Sequence, residues 1–144
     1  MGKIEAICTS EKKGTQKKEV LHINLIENFG LENDAHGGNW HRQVSLLSFE
    51  SIENFKAKGA PVDFGSFGEN LIVSGLDFKK IIPGTILSGD TFELEITQIG
   101  KDCHNRCHIY YTMGDCIMPR EGVFAIVKKG GRIEKGCNID IKKT

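Results

Sequence analysis

Thr91-Phe92-Glu93-Leu94-Glu95-Ile96-Thr97-Gln98 alternates apolar and polar residues along its length. Successive side chains of a strand point to opposite faces, so Phe92, Leu94 and Ile96 share one face and Glu93, Glu95 and Thr97 the other. Gly89-Asp90, just before it, is a turn signal, and Thr85–Ser88 reads as the preceding strand. Working outward, Glu69–Val73, Gly122–Val127 and Asn138–Ile141 are strand candidates, the last two separated by a Gly130-Gly131 turn. Ile4–Thr9 and Val44–Leu47 read as strands. So does Val20–Ile26, with Leu21, Ile23 and Leu25 on one face and His22 among the polar positions. Lys12 to Lys18 is polar and basic, which predicts an exposed loop. One helix interrupts the pattern: Ser48 is the N-cap, Phe49, Ile52 and Phe55 form an apolar stripe, and Gly59 with Pro61 marks the stop. One or two helices among about eight short strands predict a mainly β fold closed, or nearly closed, into a barrel, because closure removes exposed edges.

The chain has 144 residues, enough for one domain over its whole length. It carries 19 Lys plus Arg and 19 Asp plus Glu, so no net field draws it to nucleic acid or an anionic membrane. No apolar run approaches the roughly 20 residues of a membrane helix. The N-terminus lacks the apolar stretch of a signal peptide. These features predict a cytoplasmic protein. No Ser-His-Asp nucleophile motif, P-loop or dinucleotide fingerprint is present, which leaves a hydrolase or nucleotide-binding reading without support.

Two stretches carry chemistry. Phe29–Arg42 is rich in Gly, Asn, Asp and His and buries little apolar surface, so it is expected to be a functional loop. Asp34, His36 and His41 could equally satisfy backbone groups within that loop. The second stretch holds Cys103, Cys107 and Cys116 beside His104 and His108, three of the five cysteines. Five is an odd number, and in a reducing compartment such a cluster points to metal binding or thiol chemistry. Cys8 and Cys137 lie in apolar, strand-like surroundings and are expected to be inert.

Four ordered blocks resemble the MOSC family, named for the C-terminal domain of molybdenum cofactor sulfurases. They are Gly30–Gly38 with His41–Leu47, then Phe67-Gly68-Glu69-Asn70-Leu71 with Gly75-Leu76. Next comes Leu94–Gln98 leading into Lys101-Asp102-Cys103, and last Glu121–Ala125 with Gly131 and Gly136. Together they span nearly the whole chain, and the chain looks like the short stand-alone subgroup. Two features depart from the family pattern: Gly136-Cys137 replaces a Gly-Asp pair, and Cys107 and Cys116 are additional.

The resemblance implies a MOSC-type β-barrel that binds a molybdenum–pterin cofactor (molybdopterin) or transfers its sulfur. Cys103 matches the family's signature cysteine, as sulfur carrier or as a molybdenum ligand, since soft metals take thiolates. Lys101 and Arg106 flank it and favour the thiolate, while Asp102 opposes them. The cofactor's phosphate would need cations or loop N–H groups, which His36, Gly37, Gly38, His41, Arg42 and Arg120 offer. Glu69 and Asn70 would hydrogen-bond a pterin edge or simply lock a turn. Implied partners are the small-molecule cofactor and a cofactor-biosynthesis protein or sulfur donor. One alternative is a molybdenum-dependent reductase component for N-hydroxylated compounds, with electrons supplied by a partner. Another is a zinc-stabilised interaction module, its metal held by Cys103, His104, Cys107 and His108.

Overall fold

The computed structural model describes residues 2–12, 17–59, 62–100 and 122–142. In chain order these form β1 (Gly2–Thr9), β2 (Lys18–Val20), β3 (His22–Ile26), β4 (Gly30–Leu31), β5 (Val44–Ser48), α1 (Phe49–Ala57), β6 (Leu71–Ser74), a 3₁₀ turn (Phe78–Lys80), β7 (Ile86–Ser88), β8 (Glu93–Ile99), β9 (Val123–Lys129), β10 (Gly131–Glu134) and β11 (Asn138–Ile141).

Seven strands follow one another in the order β11-β7-β8-β9-β5-β6-β1, and β11 pairs again with β1, so the sheet closes into a barrel. Neighbours are antiparallel except β5 and β6, which run parallel with α1 in the crossover between them. β1 serves two neighbours along one edge. Gly2 and Lys3 pair with β11, while Ile7 to Thr9 pair with β2. A register shift between Ile4 and Ala6 bends β1 against β6. A second sheet, β10-β3-β4, lies beside the barrel.

Two apolar clusters explain why some strands alternate and others do not. The barrel interior takes Ile4, Leu46, Leu71, Val73, Leu94, Ile96, Ala125 and Ile139, joined by Leu25, Leu31 and Ile133 of the second sheet. The second cluster lies under α1, where Ile52 and Phe55 meet Ala6, Leu47, Ile72 and Phe124. β5 and β6 therefore bury both faces and read as continuous apolar runs. β8 buries only Phe92, Leu94 and Ile96 around its alternation, as its sequence predicts. α1 begins where the sequence places it: the Ser48 hydroxyl accepts the Ser51 N–H at 3.2 Å.

Four sequence expectations are corrected. Val20–Ile26 is two strands, broken at Leu21, whose side chain is 71% exposed instead of sharing the inner face of Leu25. Glu69 and Asn70 precede β6, which starts at Leu71. Gly130 does not separate two barrel strands; the chain leaves the barrel there to form β10, which pairs with β3. Lys17 is fully buried, although the basic run around it predicts solvent exposure. No helix among the described residues is long and apolar enough to cross a membrane.

Candidate functional site

The loop between β4 and β5 is built around a buried ion pair. Lys17 Nζ donates to Asp34 Oδ1 at 2.7 Å, and neither side chain has any exposure. The same carboxylate accepts the Ser10 N–H at 3.0 Å and the His36 N–H at 3.1 Å. His36 Nδ1 lies 4.0 Å from Asp34 Oδ2. The sequence does not reveal this pair, because Lys17 and Asp34 lie 17 positions apart in stretches that each read as solvated loop.

Three backbone amides of this segment are taken up by its own carbonyls. Gly37 N–H donates to the Asp34 carbonyl, Gly38 N–H to that of Phe29, and Trp40 N–H to that of Gly38. Trp40 Nε1 donates to the His36 carbonyl at 2.7 Å. A Cβ at Gly37 would sit 2.4 Å from the Phe29 ring, so packing explains that glycine. The N–H groups of Gly37 and Gly38 are thus occupied, and the loop also carries a cation.

Arg42 is the cation so presented. Its guanidinium carbon lies 4.7 Å from the centroid of the Trp40 ring and 5.6 Å from that of Phe124 on β9. Each stack is worth about 0.5–2 kcal/mol and fixes the fork without neutralising it. Arg42 Nε is buried with no hydrogen-bond partner among the described residues. A buried donor without an acceptor costs about 1–3 kcal/mol, which an incoming anion would recover.

His41 is bound to the end of β8. Its Nε2 is 2.8 Å from Gln98 Oε1, and Gln98 Nε2 donates to the Gly100 carbonyl at 2.8 Å. The Thr97 hydroxyl donates to the His41 carbonyl. Gly100 N–H donates to the Gly122 carbonyl at 2.6 Å, so the chain leaves β8 and re-enters β9 at one point beside His41. The structure thus brings together His41 and Arg42 of the predicted set. It adds Trp40, Gln98 and Phe124, which the sequence does not mark as site residues; the aromatic two positions before Arg42 is the available signal.

Glu69 and Asn70 do a different job. Both are fully buried. Glu69 accepts the Gly65 N–H and the Phe67 N–H, each at 3.0 Å, closing the turn before β6. Asn70 Oδ1 accepts from Ser45 N–H and its Nδ2 donates to the Cys8 carbonyl, tying β1 to β5. These contacts fit the turn-lock reading of the pair. Burial pushes the Glu69 carboxyl up to about 7, against the opposing pull of its backbone N–H bonds and of Lys17.

The sign of the resulting pH dependence follows. The folded protein holds the Glu69 proton more tightly than the unfolded chain, so Glu69 favours folding at acid pH. That contribution declines as pH rises from about 4.5 to about 7 and is constant above. The stability difference between wild type and Glu69→Gln is expected to change by about 3 kcal/mol across this window. Urea denaturation of both proteins at several pH values checks it; parallel profiles would show that Glu69 titrates normally.

Cys8 is fully buried, and desolvation pushes its thiol up to about 12, so it is inert as expected. Burial also raises the Cys137 thiol. Cys103, His104, Arg106, Cys107, His108, Cys116 and Arg120 lie outside the described residues. Among the described residues no cluster of three metal-ligating side chains gathers. A groove of about 660 Å³ opens between Ser10, Lys12, Lys18, Val20, Ile23 and Glu32, with charges of both signs.

Comparison with known proteins places this geometry. The family model described as "MOSC domain" matches residues 32–140. The fold is similar to that of the YuaD protein from Bacillus subtilis, with a TM-score of 0.79 and 20% identity over 96% of this chain and 94% of that one. YiiM from Geobacillus stearothermophilus gives 0.73 and 18%, covering 99% and 76% of the two chains. YiiM from Escherichia coli gives 0.67 and 17%, covering 99% and 70%. No curated protein matches the sequence.

Proposed function

The chain belongs to the MOSC domain family, associated with the molybdenum cofactor, and from that premise we propose that it binds a molybdenum–pterin cofactor or carries its sulfur. In this reading Cys103 supplies the thiolate, and Arg42, oriented by Trp40 and Phe124, holds the anionic phosphate of the guest. The observation that carries the reading is Arg42: a cation held between two aromatic rings, with Nε buried and unsatisfied among the described residues. A guanidinium is suited to phosphate, which accepts two parallel N–H bonds. His41, on the adjacent residue, supplies a further polar contact. When bound, the cofactor would supply a sulfur-ligated metal that accepts a soft thiolate. The chain's own residues bind and orient it.

Protein purified from cells that make molybdopterin is the test material. Wild type is expected to retain the cofactor, or to carry the extra mass of one sulfur atom, and Cys103→Ser to lose that property. Arg42→Leu is expected to weaken cofactor binding about 10- to 100-fold, the worth of one charge-assisted hydrogen bond. Retention of both cofactor and persulfide by Cys103→Ser would end the assignment of the thiol.

A further inference from the structure

We propose that Gln98 is a positioning residue that holds His41 in its Nε2–H tautomer, leaving Nδ1 as the hydrogen-bond acceptor the site offers to a donor group on its guest. The argument is one of donors and acceptors. The Gly100 carbonyl only accepts, so the Gln98 atom 2.8 Å from it must be the NH₂ group. The other end of that amide, Oε1, therefore faces His41. An amide oxygen also only accepts, so His41 Nε2, at 2.8 Å, must carry the proton. In the neutral ring the lone pair is then on Nδ1. Nδ1 has no partner among the described residues, and His41 is exposed. The Thr97 hydroxyl holds the His41 carbonyl, which restrains the residue from the backbone side as well.

The arrangement complements Arg42. One residue brings N–H donors for an anion and its neighbour brings an acceptor for an N–H or O–H. A guest with a phosphate at one end and ring amino groups at the other meets both demands. This identification of the guest rests on the function proposed above; the tautomer does not.

Long-range proton–nitrogen NMR correlations report the protonated ring nitrogen directly, without any ligand. Wild type is expected to show Nε2 protonated and Nδ1 bare in the neutral ring. Gln98→Leu is expected to show a mixture of tautomers. Binding of purified molybdopterin is expected to fall about three- to tenfold in Gln98→Leu and His41→Ala. In His41→Asn, whose Oδ1 stands near the place of Nδ1, binding is expected to recover. A proton on Nδ1 in the wild type, or an unchanged tautomer in Gln98→Leu, overturns the positioning role. An unchanged affinity in His41→Ala overturns the acceptor role while the NMR result stands. If wild type itself fails to bind molybdopterin, the proposed function falls and the acceptor role falls with it for this guest, while the spectra still decide the tautomer.

Discussion

Replacing Lys17 with Met is expected to lower the unfolding free energy by about 3–5 kcal/mol, a fall of about 10–15 °C in Tm for a chain of this size. The methionine fills similar volume, so the loss comes from charge. Asp34 stays sealed from water, still accepting from Ser10 and His36, but its counter-ion at 2.7 Å is gone. A buried carboxylate without a cation is far costlier than the intact pair is favourable. The diagnostic partner is Lys17→Met combined with Asp34→Asn, which removes the charge and keeps an acceptor oxygen for Ser10. That double variant is expected to regain most of the loss. Chemical denaturation of the three proteins measures it. A single-variant loss below about 1 kcal/mol would show that water reaches the pair.

Asn70→Ala carries the next largest expected cost, about 3 kcal/mol, from three buried hydrogen bonds removed together. They run from Ser45 N–H at 3.0 Å, from the Ser45 hydroxyl at 3.2 Å and to the Cys8 carbonyl at 3.1 Å. The side-chain amide joins β1, β5 and the entry to β6 a second time, beside the Asn70 backbone, whose N–H donates to the Ser45 carbonyl at 2.9 Å and whose carbonyl accepts the Cys8 N–H at 2.7 Å. The midpoint of urea unfolding is expected to fall with an unchanged slope, since the surface exposed on unfolding is the same. Ser45→Ala, which leaves the Cys8 bond intact, is expected to lose less than half as much. Equal losses in the two variants would mean that Asn70 acts only through Ser45.

What could be read from the sequence and what could not divide along physical lines. β8, β11 and α1 were legible because local patterning and burial agree: one face, one period, one cap. Leu21 departs from the alternation because a strand that breaks between two sheets leaves its apolar residue outside, and alternation alone carries no sign of the break. β10 leaves little trace in the sequence, since Ile133 is its only fully buried side chain, flanked by the exposed Arg132 and Glu134. The Lys17–Asp34 pair was hidden for a different reason. Charge in a polar run signals solvent, and only the tertiary partner reverses that. At the candidate site, His41 and Arg42 were legible by residue type. The roles of Gln98 and Phe124 were not, because β8 and β9 contribute them from ordinary strand positions and only pairing with the loop gives them work.

The seam between β1 and β11 ties Gly2 to Ile139 and Lys3 to Asn138. On a ribosome this has a temporal meaning. The first strand emerges early and must wait, with half of one edge bare, until the last strand is synthesised more than 130 residues later. β7 waits for the same partner. Bare edges invite pairing with other chains, and contacts so distant in sequence form slowly. The exposed charge of Lys3, beside the waiting edge, is the kind of residue that discourages such encounters in the interval.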